Sequence, residues 1–355
     1  MKYPFLFTTG GTGGHIFPAI SVAKSLNLPV LFLTGKYGME RKIFEKEKIK
    51  YKALPIKGIS GISLNKKIIR ALGILFSLIL ALYYILKINP KIIVGFGGYS
   101  SFPVLFWAKI LNKKYFLQEQ NSVPGFVTRF FSKKAIAIFT GFPQINLKGK
   151  QYFTGNPLRD EFYNIPLKEK ISFPLNVFII GGSQGSKFLD EVIIKIIPEI
   201  KDKPLKITHQ AKRESFPYLE KKYKEFGLDY ELFEFIDKPW EYYSKADLVI
   251  CRAGALTVSE VISSGRCAIF IPFKKAAENH QYFNATYLSD SKCSFLIEEN
   301  DKTDKNLLEI LKEIIKNPQI LIEMGRRTKE KEVKNGIDFI VKTLLENLEG
   351  GRGAL

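Results

Sequence analysis

Cysteine is scarce in this chain of 355 residues, and the three that occur include no Cys-x-x-Cys pair. Disulfide scaffolds and cysteine-based zinc sites depend on closely spaced pairs, so the sequence argues against both. We expect Cys251, Cys267 and Cys293 to be buried thiols in a reducing cytoplasm. There is also no Asp-x-Asp pair and no cluster of histidine with carboxylate residues. The sequence therefore predicts no bound metal and no other cofactor.

Two common nucleotide-binding signatures are absent as well. No Gly-Lys-Ser or Gly-Lys-Thr occurs, which excludes a P-loop. A dinucleotide fingerprint that starts at Gly11 would need a third glycine at position 16, where Ile16 stands. No acidic residue ends the apolar run Val30–Leu33 to hold a ribose. Both absences weaken the hypotheses of an NTPase and of a dehydrogenase.

Acidic residues are outnumbered, with 35 Asp and Glu against 54 Lys and Arg, and the formal net charge is +19. Such a chain attracts polyanions, which include nucleic acid, anionic lipid and phosphorylated substrates. Solvated helix faces with interspersed Glu account for much of the excess. The basic residues are scattered and no nucleic-acid-binding module is recognisable, so we expect no nucleic-acid partner.

One apolar run, Ala71–Leu86, is shorter than the roughly 20 residues that a membrane-spanning helix needs. The segment after Lys2 runs straight into a glycine-rich loop, so we expect no signal peptide. The apolar run is flanked by cations, which leaves two interpretations: a buried core helix, or a helix that partly rests on an anionic membrane surface. We favour the second. The membrane-contact residues that we expect are Lys66, Lys67, Arg70, Leu75, Ile79 and Leu82.

A unit of strand, glycine-rich loop and helix occurs twice, first around Gly10–His15 and again around Gly181–Ser186. Continuous apolar strands separated by helical stretches indicate parallel sheets that are covered on both faces. The sequence therefore predicts an α/β protein with two Rossmann-like domains. We expect domains over 1–156 and 157–335, and a C-terminal helix and tail over 336–355 that could pack back on the first domain.

His15 directly follows the glycines of the first loop, at the start of the predicted helix. Backbone N–H groups and the helix dipole at such a loop favour an anion, although a tight turn also uses glycine. His15 could serve as a general base toward a hydroxyl or donate a hydrogen bond to a phosphate, and a structural histidine is the plainer alternative.

Two further segments carry polar groups after predicted strands. Ser183 and Gln184 in the second glycine-rich loop can hydrogen-bond a phosphate or a sugar, or the loop is a simple turn. In the segment 251–260, the N–H groups after Gly254 could meet a diphosphate, while Glu260 could hold a ribose diol. A plain helix start explains the same residues equally well.

Seven motifs in series carry a resemblance to a known family. They are Gly-Gly-Thr-Gly-Gly-His-Ile-Phe-Pro (10–18), Gly-Gly-Tyr (97–99), Gln-Glu-Gln-Asn (118–121), Gly-Asn-Pro-Leu-Arg (155–159), Gly-Gly-Ser-Gln-Gly (181–185), Arg-Ala-Gly-Ala-Leu-Thr-Val-Ser-Glu (252–260) and Glu-Asn-His-Gln (278–281). Together they resemble the MurG family, the bacterial undecaprenyl-diphospho-muramoylpentapeptide β-N-acetylglucosaminyltransferases. The resemblance covers the chain from Lys2 to about Leu348.

This resemblance implies a GT-B fold, with two Rossmann-like domains that face a cleft, and UDP-N-acetylglucosamine as donor on the C-terminal side. It implies an undecaprenyl-linked acceptor (lipid I), inversion at the transferred sugar, and a peripheral location on the cytoplasmic face of the cell membrane. His15 and Asn121 would be catalytic. The donor would be contacted by Thr12, Gly13, Gly14, Asn121, Arg159, Ser183, Ile236, Ala255, Leu256, Thr257, Val258, Ser259, Glu260 and Gln281.

Two other functions stay open at this stage. One is a different GT-B UDP-sugar transferase that uses another lipid acceptor. The other is a scaffold that binds a nucleotide sugar or anionic lipid without turnover.

Overall fold

The computed structural model describes residues 2–57, 64–143, 145–182 and 185–349, and the side chains of 64–69 and 71 are outside this description. The chain divides into two compact units. Unit 1 comprises Met1–Arg159 and Val333–Leu355, and unit 2 comprises Asp160–Glu332.

Unit 1 contains a seven-stranded parallel sheet in the order β3-β2-β1-β4-β5-β6-β7. Its strands are β1 (Phe5–Thr9), β2 (Val30–Gly35), β3 (Tyr51–Leu54), β4 (Ile92–Gly95), β5 (Lys114–Glu119), β6 (Ile138–Thr140) and β7 (Gln151–Phe153). The helices are α1 (Gly13–Ser25), α2 (Glu40–Lys46), α3 (Leu64–Ile88), α4 (Phe102–Ile110) and α5 (Phe126–Phe131), with short 3₁₀ turns at Tyr99–Ser101 and Ser132–Lys134.

Unit 2 contains a six-stranded parallel sheet in the order β10-β9-β8-β11-β12-β13. The strands are β8 (Leu175–Ile180), β9 (Leu205–Gln210), β10 (Asp229–Phe233), β11 (Leu248–Cys251), β12 (Cys267–Phe270) and β13 (Phe295–Leu296). The helices are α6 (Asp160–Tyr163), α7 (Lys187–Ile200), α8 (Phe216–Glu225), α9 (Pro239–Lys245), α10 (Ala255–Ser264), α11 (His280–Ser289), α12 (Thr303–Lys316) and α13 (Gln319–Lys329), with 3₁₀ turns at Arg213–Ser215 and Ala277–Asn279.

The central strands are apolar on both faces because helices cover both sides of each sheet. In β1 all five residues are buried, and β4 and β11 are buried throughout. In unit 1, one apolar cluster lies around Phe7 and Phe32, and a second lies around Leu33 and Ile93. The predicted α/β fold with two parallel sheets is confirmed.

The last helix, α14 (Gly336–Leu348), belongs to unit 1 although it follows unit 2 in the chain. Ile340 and Leu344 are buried in the same apolar cluster as Phe7. A Cβ atom at residue 336 would overlap the carbonyl oxygen of Thr154, so glycine allows α14 to begin directly against the strand end. The fold of unit 1 thus uses both ends of the chain.

Helix α3 has one face in the core and one face in solvent. Ala81 and Ile85 are fully buried, while Leu75 and Ile79 are each 56% exposed and Leu82 is half-buried. The helix ends where Asn89 takes a positive φ of 48° ahead of Pro90, a usual pair of stop residues. Within the described residues, none of the helices combines the length and the apolar character that a bilayer crossing requires.

Candidate functional site

In unit 1 the order of the strands reverses between the neighbours β1 and β4. Ligands of open parallel sheets bind at this reversal, outside the carboxyl ends of the strands. The loop after β1 carries Gly10–His15, and the loop after β4 carries Gly97–Tyr99. A Cβ atom at Gly98, where φ is +76°, would overlap the carbonyl oxygen of Gly10. The two loops therefore pack directly against each other, and glycine makes that approach possible.

The first glycine-rich loop is hydrogen-bonded to a buried carboxylate. Glu40, the first residue of α2, is fully buried, and its Oε1 accepts a 2.6 Å hydrogen bond from the backbone N–H of Gly11. An anionic ligand would compete with this carboxylate and be repelled by it. The loop after β1 is consequently a poor cradle for a diphosphate.

This contact gives a stability prediction. Replacing Glu40 with alanine leaves the Gly11 N–H without its charged acceptor, and we expect the free energy of unfolding to fall by about 1–3 kcal/mol. Glu40→Gln keeps an acceptor oxygen at the same place and should lose less. Urea unfolding of the two variants measures the difference, and equal losses would contradict the assigned role of the hydrogen bond.

His15 lies in the first turn of α1, half-buried, with its ring against the loop after β4. Its Nδ1 is 2.6 Å from Oε1 of Gln120, which follows strand β5. A Cβ atom at Gly97 would lie 3.2 Å from Nδ1, so only a very small residue at 97 leaves room for the ring. Residues from the ends of β1, β4 and β5 thus meet at His15.

Asn121 is held by its neighbour Glu119. One carboxylate oxygen of Glu119 accepts from the backbone N–H of Asn121 at 3.1 Å, and the other accepts from that of Gly125, also at 3.1 Å. The Nδ2 atom of Asn121 lies 3.5 Å from Glu119 Oε1. Because Glu119 is 2% exposed, this bracing fixes the loop that presents Asn121.

The other residues of unit 1 that were predicted to contact the donor lie at helix α1 or pack against it. Thr12 is exposed at the start of α1, directly ahead of Gly13 and Gly14. The guanidinium of Arg159 lies 4.8 Å from the centre of the Phe17 ring on α1, in a cation–π contact. The structure therefore brings Arg159 to the same helix as His15.

In unit 2 the strand order reverses between β8 and β11. Arg252, directly after β11, spans this reversal: its Nε donates to Ser186 Oγ at 2.8 Å, in the loop after β8. Its Nη1 donates to Glu299 Oε2 at 2.6 Å and to the carbonyl oxygen of Ile271 at 3.0 Å. Burial lowers the pKa of Arg252, and the nearby carboxylate of Glu299 opposes that shift. Arg252 is therefore an internal brace that ties three loops together.

Helix α10 begins at this reversal, with Gly254 at its N-cap. The first N–H groups of a helix have no acceptor within the helix, and the dipole makes this end positive. The first turn carries Ala255, Leu256 and Thr257, and no acidic residue lies in it. Such an end attracts an anion, unlike the glycine-rich loop above Glu40.

The side chains of residues 258–260, which follow the first turn of α10, make contacts within unit 2. Val258 is fully buried, and Ser259 Oγ donates to the carbonyl oxygen of Ala255 at 3.0 Å. Glu260, one turn in, accepts a 3.2 Å hydrogen bond from Tyr243 Oη. Burial raises the pKa of Tyr243 well above its usual range, and the Glu260 carboxylate adds to that. Tyr243 is thus a neutral donor that orients Glu260.

Gln281 stands at the start of α11, and its Oε1 accepts from the backbone N–H of Phe273 at 3.0 Å. This bond uses the amide oxygen, so the NH₂ group is the end that can serve a ligand. Ile236 lies half-buried between β10 and α9. Ser183 is outside the described residues, as are the side chains of Lys66 and Lys67.

The three cysteines are free and buried, as predicted. Burial raises the pKa of the Cys251 thiol well above its usual range, and Glu260 raises it further. Burial also raises the pKa of Cys267 to about 12. A protonated, buried thiol is a poor nucleophile, so we expect none of the three cysteines to act as a catalytic nucleophile.

Several residues of the site were not predicted from the sequence. Glu40 and Glu299 support the loops, and Gln120, although part of a quoted motif, had no role assigned. Their partners are 29, 47 and 105 positions away along the chain.

Exposed apolar residues also lie outside α3, at Ile110, Phe126 and Phe130, and the sequence analysis did not predict them.

The chain matches two domains of one enzyme family. Residues 5–140 match the Glycosyltransferase family 28 N-terminal domain, and residues 176–340 match the Glycosyltransferase family 28 C-terminal domain. A protein of Wolbachia pipientis subsp. Culex pipiens (strain wPip) is 37% identical over 352 residues, which are 97% of this chain and 99% of that protein. It is named UDP-N-acetylglucosamine--N-acetylmuramyl-(pentapeptide) pyrophosphoryl-undecaprenol N-acetylglucosamine transferase.

A protein of the same name from Nitrosospira multiformis is 31% identical over 98% of this chain and 99% of its own length. Among solved structures, the crystal structure of Acinetobacter baumannii MurG superposes with a TM-score of 0.80 at 29% identity, over 98% of this chain and 100% of that one. The predicted GT-B architecture of two Rossmann-like domains is confirmed by this similarity. The chain belongs to glycosyltransferase family 28 and, within it, to the MurG family of N-acetylglucosaminyltransferases.

Proposed function

We propose that this enzyme transfers N-acetylglucosamine from UDP-N-acetylglucosamine to undecaprenyl-diphospho-N-acetylmuramoyl-pentapeptide, which converts lipid I to lipid II in peptidoglycan synthesis. The observation that carries the proposal is the near-complete alignment with relatives named for this transfer, at 31–37% identity over both domains.

Unit 2 is the proposed donor domain. Its strand reversal combines the positive end of α10 with a loop held rigid by Arg252, which suits the diphosphate of the donor. Glu260, oriented by Tyr243, would accept hydrogen bonds from the ribose diol. The NH₂ group of Gln281 would donate to the sugar hydroxyls, and the backbone of Ile236 would frame the uracil.

Unit 1 is the proposed acceptor domain and supplies the base. The acceptor oxygen attacks C1 of the sugar from the face opposite UDP, so the configuration at C1 inverts. Negative charge grows on the departing diphosphate, where the N–H groups of α10 would stabilise it. His15 would remove the acceptor proton, while Thr12, Gly13, Gly14 and Asn121 would contact the donor sugar.

The lipid tail of the acceptor requires a protein that works at the bilayer surface. We infer that the enzyme binds the cytoplasmic face of the cell membrane as a peripheral protein, through an apolar face on helices α3, α4 and α5. Its exposed side chains are Leu72, Leu75, Phe76, Ile79, Tyr83, Leu86, Ile110, Phe126 and Phe130. Lys109 lies 4.7 Å from the centre of the Phe130 ring and would meet anionic head groups.

The apolar face gives a binding prediction. The double variant Leu75→Ser and Ile79→Ser should bind vesicles that contain phosphatidylglycerol at least about tenfold more weakly, because two half-exposed side chains lose their apolar contact with lipid. Vesicle co-sedimentation measures the affinity. Tyr218→Ser in unit 2, where Tyr218 is 68% exposed, is the control. Equal binding by the double variant and the control would contradict this membrane face.

A comparison of donors tests the proposed function. Purified enzyme should transfer sugar from UDP-N-acetylglucosamine to a lipid-linked muramoyl-pentapeptide, and UDP-glucose should serve poorly. Turnover with UDP-glucose and none with UDP-N-acetylglucosamine would favour a different GT-B transferase. Binding of UDP-N-acetylglucosamine without turnover, unaffected by His15→Ala, would favour a scaffold.

A further inference from the structure

Gln120 lies in a buried chain of hydrogen bonds that ends on His15. The residue is 1% exposed, and its Oε1 lies 2.6 Å from His15 Nδ1. Its Nε2 lies 2.9 Å from the carbonyl oxygen of Phe96 and 3.3 Å from that of Gln118. Gln120 contacts neither substrate in the proposed reaction. These hydrogen bonds can therefore act on the reaction only through His15.

The neighbours of Gln120 determine which end of its amide faces the histidine. A backbone carbonyl only accepts hydrogen bonds, so the end that faces Phe96 and Gln118 must be the NH₂ group. Gln118 Oε1 is a third acceptor at the same end. A flipped amide would set its oxygen against these acceptors and leave buried groups unsatisfied. Oε1 of Gln120 therefore faces His15.

This orientation selects one tautomer of His15. An amide oxygen only accepts, so Nδ1 of His15 must carry a proton, and the lone pair of the neutral ring is then on Nε2. We propose that Gln120 is a positioning residue that holds His15 in the Nδ1-protonated tautomer, which leaves Nε2 to accept the proton of the acceptor hydroxyl. This rests on the proposed function, in which His15 is the general base.

The surroundings keep the pair in place. Gln118 Nε2 donates to Asn156 Oδ1 at 3.0 Å, and Asn156 Nδ2 donates to the carbonyl oxygen of Gln120 at 3.0 Å. A Cβ atom at Gly97 would lie 3.2 Å from His15 Nδ1 and 3.5 Å from Gln120 Oε1, so the backbone confines both groups. A network of this kind fixes a ring orientation because its members are buried and satisfied.

The transfer step balances with this tautomer. The acceptor oxygen bonds to C1 while the bond from C1 to the diphosphate oxygen breaks, and that electron pair leaves with UDP. Nε2 of His15 takes the hydroxyl proton, and the ring becomes an imidazolium. The proton on Nδ1 stays in its hydrogen bond to Gln120 throughout, and solvent later takes the proton from Nε2.

Long-range ¹H–¹⁵N NMR on protein labelled with ¹⁵N-histidine reads the tautomer directly. The chain has three histidines, so the His15 signals are assigned by their loss in His15→Gln. At a pH where the ring is neutral, wild-type His15 should show a protonated Nδ1 and an unprotonated Nε2. An Nε2-protonated ring in the wild type would overturn the proposal without any variant at Gln120.

Gln120→Leu removes the acceptor, and the ring should revert to the Nε2-protonated form that a free imidazole side chain prefers. We expect kcat to fall by about 10²-fold or more, while KM for UDP-N-acetylglucosamine changes by less than about threefold. Gln151→Leu, which removes a part-buried amide that donates to Leu147, is the matched control and should change neither measurement.

An unchanged tautomer in Gln120→Leu would overturn the proposal, as would a switched tautomer with full activity. The tautomer of the wild type is measured without substrate. Failure of the proposed transferase activity and failure of this proposal therefore give different results.

Discussion

Replacing His15 with glutamine is expected to lower kcat by about 10²–10⁴-fold, the usual contribution of a general base. Glutamine keeps a hydrogen-bonding side chain of similar size at the start of α1 but cannot accept a proton. The dissociation constant of UDP-N-acetylglucosamine should change little, because its diphosphate is assigned to α10 in unit 2. Steady-state kinetics together with calorimetric titration of the donor separate the two quantities.

This result also decides between the two roles that the sequence leaves open for His15. A base lost from the site lowers kcat, whereas a lost phosphate ligand weakens donor binding and raises KM. The carboxylate of Glu40 beneath the Gly11 N–H already disfavours an anion at this loop. A variant with nearly full kcat and a donor bound at least tenfold more weakly would contradict the role of base.

Replacing Arg252 with methionine is expected to lower the free energy of unfolding by about 3–5 kcal/mol, since it removes a buried network of hydrogen bonds and leaves a largely buried carboxylate without its charged partner. Arg252 and Glu299 are 7% and 16% exposed at their side chains and lie 2.6 Å apart. The loop after β8 also loses its hydrogen bond from Arg252 to Ser186, so donor binding should weaken as well. Urea unfolding and donor titration measure the two effects.

A surface ion pair in the same unit provides the control. Arg327 lies 3.9 Å from Glu323 with both side chains exposed, so Arg327→Met should cost at most about 1 kcal/mol. The double variant Arg252→Met with Glu299→Met should recover part of the lost stability, because it removes the uncompensated charge. Equal losses from Arg252→Met and Arg327→Met would contradict the assignment of Arg252 as a brace.

Local patterns were sufficient to predict the central strands and the glycine-rich loops. Strands such as Phe5–Thr9 and Leu175–Ile180 are largely apolar, and each is followed by a glycine-rich segment of the sequence and then a helix. The short edge strands β3, β7, β10 and β13 were not predicted. Their residues are mostly half-buried or exposed, because an edge strand has a neighbour on one side only, and so they lack the continuous apolar pattern.

The supporting residues of the site could not be predicted for a different reason. Glu40 and Gln120 look like ordinary residues of a helix start and a strand end, and their function depends on partners that only the folded sheet brings close. The sequence did indicate His15 through its position after the glycines. It could not indicate that a buried carboxylate disfavours anions at the same loop, because that carboxylate is Glu40 on α2.

The glycine-rich loop after β1 and the start of α10 have different tasks in the proposed reaction. The loop after β1 presents His15 above a buried carboxylate, and the reversal in unit 2 offers the positive end of α10 to the donor. A crystal structure of the enzyme with UDP-N-acetylglucosamine tests this most directly. We expect the diphosphate within hydrogen-bond distance of the N–H groups of Ala255–Thr257. A diphosphate bound to the N–H groups of Gly11–Gly14 would contradict it.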